Sequence, residues 1–183
     1  MGLCDEIEGY SMPGQCEFLF TKVLSLNDNA KILEIGAYKG RFTTALAMGC
    51  CGTERHIDSV DTWDGNDGDC KSANFKNTFR DWATNLAQRD LLKHVTAHVG
   101  YSEVVLPTLS GGWDLVLIDG SHDFIDVTKD FLTTLKMVGY GSFVALHDVT
   151  PEWPGPTQCW EQFASRELKK HEFIGSLAVG QKV

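Results

Sequence analysis

The sequence predicts an α/β fold: a doubly wound, mostly parallel sheet with helices on both faces. Three observations predict it. Five short apolar runs of strand length alternate with segments of helical periodicity. The stretch from Lys31 to Gly40, KILEIGAYKG, reads as a buried strand, a turn at Gly36 and a helix opening near Gly40. That is how such a sheet presents backbone N–H groups and a helix N-terminus to a ligand. Acidic and histidine residues also gather at the carboxyl ends of the strands, where open α/β sheets bind ligands.

Gly9 to Gly14 is a turn-rich entry. Gln15 to Leu26 places Phe18, Leu19, Val23 and Leu26 close to helical spacing, and Asn27, Asp28 and Asn29 end that helix. Lys31 to Ile35 is the first strand. Arg41 to Met48 is a short helix with Phe42 and Leu46 inward, broken by Gly49 to Gly52. His56 to Val60 is the second strand. Asp64 to Cys70, DGNDGDC, is a loop; it resembles a calcium loop superficially but lacks the glutamate of the twelfth position. Ala73 to Leu86 reads as a helix whose stripe of Phe75, Phe79, Trp82 and Leu86 is core.

Val95 to Val99 is the third strand, and Glu103 to Leu109 a short helix broken at Pro107. Trp113 to Asp119, WDLVLID, is the fourth strand, apolar throughout as a buried parallel strand requires. Asp126 to Met137 is a helix that Gly139 to Gly141 stops. Ser142 to Leu146 is the fifth strand. Pro151 to Pro156 is a rigid loop, and Gln158 to Leu168 a helix with Trp160 and Phe163 inward. Glu172 to Ser176 and Leu177 to Val183 form a terminal hairpin that adds antiparallel strands at one edge. Crossovers between the parallel strands are expected to be right-handed.

At 183 residues the chain reads as one domain, 1–183. A formal charge of −9 gives no electrostatic footprint for nucleic acid or an anionic membrane. No apolar run approaches a membrane span. The start, MGLCDEIEGY, is acidic where a signal peptide is basic, and it lacks the serine or threonine of a myristoylation pattern. The cysteines, Cys4, Cys16, Cys50, Cys51, Cys70 and Cys159, form no C-x-x-C and no zinc spacing. They read as reduced thiols of a cytoplasmic protein, with Cys50 and Cys51 as packing residues.

Glu34 is a carboxylate inside an apolar strand, so something must satisfy it: a ribose, a cationic ligand group or a loop that it caps. Asp61 ends strand two, about 25 residues beyond Gly36, near the position where an acid in doubly wound folds binds ribose hydroxyls; the alternative is a solvated loop aspartate. Ser102 follows strand three, Asp119 and His122 follow strand four, and His147 and Asp148 follow strand five. Asp119 and Asp148 end strands expected to be neighbours. With His147 they suit one Mg²⁺ or Mn²⁺; the alternative is a capped turn and a hydrogen-bonded loop. An imidazole suits the role of a base at neutral pH, so His122 could accept a proton from a substrate hydroxyl; the alternative is a structural histidine.

Taken together, LEIGAYKG, VDTWDG, GYS, DLVLIDGSHDF and VALHD resemble class I S-adenosylmethionine (SAM)-dependent methyltransferases. More narrowly they look like the small-molecule and sugar O-methyltransferases related to the catechol O-methyltransferase group. The resemblance runs from Gly14 to the C-terminus. It implies a Rossmann-like methyltransferase sheet of seven strands, ordered 3-2-1-4-5-7-6 with the seventh antiparallel. It implies that Glu34, Gly36, Ala37, Tyr38 and Gly40 shape the site for the methionine part of the cofactor. Asp61 would hold the ribose, with Thr62 and Trp63 beside the adenosine and Gly100, Tyr101 and Ser102 near the adenine. Asp119 would serve cofactor, metal and catalysis together. His147 and Asp148 would complete the metal site, and His122, or His147, would be the base. Two positions depart from the family pattern: the turn lacks a middle glycine at Tyr38, and His-Asp stands after strand five in place of Asp-Asp or Asp-Asn.

The resulting expectation is SAM-dependent O-methylation of a small hydroxyl acceptor. A nicotinamide-dependent oxidoreductase is the first alternative, although the turn lacks G-x-G-x-x-G; a vestigial nucleotide-binding protein is the second, and a metal-dependent hydroxylase or hydrolase the third. The acceptor site is expected from the N-terminal entry segment, 1–13, and from the loops after strands two and five. These hold Tyr10, Trp63, Asp64 and Trp153, which suits a sugar or a phenol-like ring. No large insertion roofs the site, which accords with a homodimer in which a neighbouring copy covers it.

Overall fold

In the computed structural model, which describes residues 2–64 and 77–183, seven strands form one sheet. They are β1 (Lys31–Ile35), β2 (His56–Asp61), β3 (Val95–Val99), β4 (Trp113–Ile118), β5 (Val138–Leu146), β6 (Leu168–Ile174) and β7 (Leu177–Lys182). Their order is β3-β2-β1-β4-β5-β7-β6, with β7 antiparallel to both neighbours and the other pairs parallel. This is the expected order. The helices are α1 (Gln15–Leu24), α2 (Arg41–Cys50), α3 (Phe79–Ala87), α4 (Ser102–Val105), α5 (Phe124–Met137) and α6 (Pro154–Cys159).

The period-two pleat of the central strands feeds two separate cores. Ile32, Leu115 and Leu117 pack with Leu19, Leu46, Trp82 and Leu86 of α1, α2 and α3. Leu33, Ile35, Val116 and Ile118 pack on the opposite face with Phe131 of α5 and Trp160. Among the described residues no helix is long and apolar enough to cross a membrane.

Several boundaries differ from expectation. Helix α1 ends at Leu24, not Leu26. The glycines Gly139 and Gly141, read as a helix stop, lie inside β5: Val138 already pairs with Trp113, and the register then shifts before Leu115 meets Phe143. The PEWPGP segment is not a loop to its end, because Pro154 opens α6, a place where a missing N–H costs nothing. That helix continues through a π-helical segment, Trp160–Ala164, and a last turn, Ser165–Glu167, so β6 starts at Leu168. Asn77 and Thr78 form a turn before α3. The expected start of that helix at Ala73, its Phe75, Cys70 and most of the DGNDGDC loop lie outside the described residues. Phe79 is partly exposed, and Cys51, expected to pack, is exposed while Cys50 is buried.

The end of β1 is tied to both neighbours. Gly36 N donates to Val60 O at 2.9 Å, and Asp119 N donates to Ile35 O at 2.7 Å. Gly36 has φ +86°, and a Cβ there would lie 2.0 Å from the carbonyl oxygen of Asp119. Only glycine fits such an approach of backbone to backbone. Gly36→Ala is expected to cost about 3 kcal/mol or more, a fall of roughly 6–12 °C in Tm. A melt within 2 °C of the parent protein would show that the strand ends can part cheaply.

Candidate functional site

The polar ends of the strands meet in one cavity of about 690 Å³. Gly36, Ala37 and Tyr38 form its floor; Asp61, Thr62 and Trp63 follow from β2, and Gly100, Tyr101 and Ser102 from β3. Asp119 and His122 enter from the β4 end, Asp148 from the β5 end, and Trp153 from the loop beyond. Gly9, Tyr10 and Ser11 of the N-terminal segment also line it.

Asp61 organises the floor. Its Oδ2 accepts from Ala37 N at 2.6 Å and Tyr38 N at 2.8 Å, and its Oδ1 accepts from Trp63 N at 2.7 Å. A carboxylate offers about four acceptor positions, so one remains for a ligand hydroxyl. Tyr38 stands where the family pattern has glycine, yet it adopts the left-handed backbone itself, with φ +47°. Trp63 and Asp148 are left-handed too, at +52° and +57°. Three non-glycine residues in this rarely occupied region line one cavity, and such strain concentrates at functional sites.

At the other end stands a cluster of acids and imidazoles. One ligand atom each from Asp119, His147 and Asp148 lies within 4.8 Å of the others. His147 Nδ1 is 2.8 Å from Asp119 Oδ1 and 3.2 Å from Asp148 Oδ2. Its other nitrogen, Nε2, is 3.0 Å from Gln15 Oε1. The Gln15 amide nitrogen donates to Ile174 O and Ser176 Oγ, which leaves Gln15 Oε1 as an acceptor and places a proton on His147 Nε2. Burial alone would lower the His147 pKa, but the carboxylates of Asp119 and Asp148 outweigh it and hold it up at about 10. Burial likewise opposes ionisation of Asp148, but hydrogen bonds with His122 and His147 hold its carboxyl well below the usual range. His122 Nε2 is 2.9 Å from Asp148 Oδ2, and its ring stacks on Trp153 with centroids 3.8 Å apart.

Of the residues singled out from the sequence, Glu34, Gly40, Asp64 and His147 do not line the cavity. Glu34 shares the pleat face of Ile32 and points into the α2 side of the core, fully buried. Its Oε2 accepts from Thr43 Oγ1 at 2.6 Å and Ser59 Oγ at 2.7 Å, and Trp82 Nε1 donates to Thr43 Oγ1 at 3.1 Å. Burial pushes its carboxyl up to about 8, despite those two donors. Gly40 is the left-handed residue before α2, against the Trp82 ring. His147, 3% exposed, stands behind Asp119 and Asp148 and reaches the cavity through them.

Among the lining residues that were not singled out are Arg41 and Asp130. Arg41 binds the N-terminal segment: Nε donates to Ile7 O at 2.6 Å, Nη1 to Ser11 Oγ at 3.0 Å and Nη2 to Asp5 O at 3.1 Å. A cation in the first turn of a helix opposes the helix dipole, and that is its sequence signal. Asp130 lies on the buried stripe of α5 with Val127, Phe131 and Thr134, and an acid on an apolar stripe is the signal there.

A family model described as a methyltransferase domain matches residues 33–149. No curated protein matches in sequence. Among solved structures, cofactor-bound Rv0187 from MTB is 18% identical with a TM-score of 0.75, the alignment covering 97% of this chain and 84% of that one. The O-methyltransferase TomG from Streptomyces achromogenes, involved in tomaymycin synthesis and in complex with SAM, is 20% identical (TM-score 0.72; 95% and 82% covered). An O-methyltransferase from Bacillus cereus in complex with SAH is 19% identical (TM-score 0.71; 94% and 83% covered). The likeness is one of fold.

Glu34 gives a pH signature. Its folded pKa of about 8 lies above the ordinary 4.5, so the folded state binds more protons between those values. Its contribution to stability therefore falls as pH rises through that window. Glu34→Gln carries no such proton. The Tm of Glu34→Gln minus that of the parent protein is expected to rise steadily from pH 4.5 to 8. A difference that stays flat over this range would refute the buried neutral carboxyl.

Proposed function

The chain belongs to the methyltransferase-domain family, and on that premise we propose that it transfers a methyl group from SAM to a hydroxyl of a small, ring-bearing acceptor. Family membership sets aside the nicotinamide-dependent alternative. The observation that carries the reading is the distribution of groups in one cavity. Asp61, with an acceptor position to spare, stands at one end; His122, Asp148 and Asp119 stand at the other. A bound nucleoside would hold a reacting centre between them. The structural relatives bound to SAM or SAH accord with this.

When bound, SAM supplies a methyl group on a positively charged sulfur; the new bond is to the acceptor oxygen and the bonding pair of the broken C–S bond stays on sulfur. The protein's part is to orient and to move a proton. Holding the two reacting atoms in line supplies most of the available acceleration. Tyr10 and Trp153 flank the acceptor end and suit the faces of a sugar or phenol ring. The proton of the acceptor hydroxyl passes to the His122–Asp148 pair, in which Asp148 orients the imidazole. His147 acts through Asp119 and Asp148: a positive charge beside two carboxylates favours the ionised form of each, against the burial that holds the Asp119 carboxyl above its usual range.

The same three residues fit a divalent cation. Two carboxylates and an imidazole nitrogen suit Mn²⁺, or Mg²⁺ with waters. His147 Nδ1 has no hydrogen bond of regular geometry among the described residues, and Gln15 holds the opposite nitrogen as an outer-sphere partner would. A cation held there would lower the pKa of an acceptor hydroxyl. Cation and imidazolium are competing ways to place positive charge at one point.

Addition of S-adenosylhomocysteine at about a hundred times its dissociation constant should stabilise the protein by roughly 2.7 kcal/mol, or about 5–10 °C in Tm. A further rise with Mg²⁺ or Mn²⁺, absent in Asp148→Asn, would favour the cation over the imidazolium. Asp119→Ala is expected to abolish turnover. His122→Ala should slow it by roughly a hundredfold or more with the affinity for S-adenosylhomocysteine kept within about threefold. An Asp119→Ala protein as active as the parent would defeat the mechanism.

A further inference from the structure

Two buried thiols stand together beneath the N-terminal segment and serve no step of the methyl transfer proposed above. Cys4 belongs to that segment and Cys16 to the first turn of α1, and both are buried in the same core cluster. Hydrogen bonds on either side hold the two stretches together. Leu3 N donates to Glu17 Oε1 at 2.6 Å, which sets the residue before Cys4 against the residue after Cys16. Arg41 holds both Asp5 O and Ser11 Oγ, and Cys16 Sγ is 3.9 Å from Ser11 Oγ. Between these ties the Cys4 thiol donates a hydrogen bond to Cys16. The other buried thiols are placed differently: Cys50 bonds Leu46 O in its own helix, and Cys159 lies in the core on the opposite face of the sheet.

We propose that Cys4 and Cys16 form a redox-responsive dithiol, which a peroxide converts to a disulfide that fastens the N-terminal segment to α1. Cys16 is the attacking sulfur. The bond from Cys4, the Ser11 contact and the Arg41 charge lower its pKa against burial, while Cys4, as the donor, is held protonated. The Cys16 thiolate attacks one oxygen of hydrogen peroxide; the O–O bond breaks, the other oxygen leaves as water, and Cys16 becomes a sulfenic acid. The Cys4 sulfur then gives up its proton and attacks that sulfur. The S–S bond forms, the S–O bond breaks and a second water leaves. Two thiols lose two electrons, and one peroxide gains them. Peroxide reaches the pair when the segment lifts, because its fasteners include the exposed carboxylates Glu6 and Glu8, whose ion pairs are individually weak. The ring so closed, residues 4–16, contains Gly9, Tyr10 and Ser11, which line the cavity. Oxidation thus fixes that wall of the cavity, and reduction by a thiol releases it. The bland role, in which the two thiols only fill the core, predicts no selective bond between them.

The test treats the folded full chain with hydrogen peroxide, with and without later dithiothreitol, and maps it by mass spectrometry after cleavage at glutamate. Cleavage at Glu6 and Glu8 separates the two cysteines, so their peptides stay joined only through a disulfide. A Cys4–Cys16 link is expected, with Tm raised by roughly 5–10 °C and amide exchange over residues 9–11 slowed by roughly tenfold. Dithiothreitol should reverse all three. In Cys4→Ser the reaction should stop at a sulfenic acid on Cys16, trapped by dimedone, and Cys16→Ser should give neither product at Cys4. The map of the parent protein carries the test should a serine variant fail to fold. Peroxide that leaves both thiols free, or that links either of them to another cysteine in preference, overturns the pair. A Cys4–Cys16 link that leaves Tm and exchange unchanged overturns its role as a fastener.

Discussion

The architecture turns on the backbone contact at the end of β1. Ile35 O takes the Asp119 N–H on one side, and Gly36 N reaches Val60 O on the other. The next residues on each strand must therefore diverge, since no room is left between them. That divergence opens the cavity. It also fixes where Asp61 and Asp119 stand, because Asp61 ends β2 and Asp119 directly follows β4, both strands locked in register with β1. Side chains from three strands are thereby delivered to one volume without any loop having to be long.

Much of this was legible from local pattern. The strand runs, the polar residues that end them and the glycine turn are all short-range signals, and together they located Asp61, Ser102, Asp119, His122 and Asp148 at one rim. What sequence could not convey was the direction of a side chain. Glu34 sits two residues from Ile32, so the pleat sends it to the α2 core and away from the ligand side; that depends on which face the helices cover. His147 and Asp148 are adjacent, yet one is buried behind and the other faces the cavity. The start of β5 was hidden for a different reason. Val138 is strand because Trp113 pairs with it, a contact between residues far apart in the chain, and two local glycines argued the other way.

Electrostatics ties the cavity together. Asp61, Asp119, Asp130 and Asp148 all face it, and each is managed differently: backbone amides at Asp61, a serine at Asp130, imidazoles at Asp119 and Asp148. Low dielectric makes these arrangements count for more than the same groups in water. A cavity with this surplus of acid favours a ligand that brings positive charge, which the sulfonium of SAM does. Glu34, nearest in sequence to the glycine turn, adds nothing to that surplus at neutral pH, because burial keeps it protonated.

The floor and the cover of the cavity are fastened by different physics. The floor is backbone hydrogen-bonded to backbone and to a carboxylate. The cover is the N-terminal segment, held by the Arg41 fork, by the Arg89–Glu6 pair and by contacts of Tyr38 and Lys39 with Glu8. Ion pairs at exposed sites are individually weak. A change in the cover therefore leaves the cofactor floor standing, whereas a change in the floor removes both. On the proposed reading, in which the floor holds the methyl donor, such a protein can try new acceptors at small risk, because the part that varies most cheaply lies elsewhere.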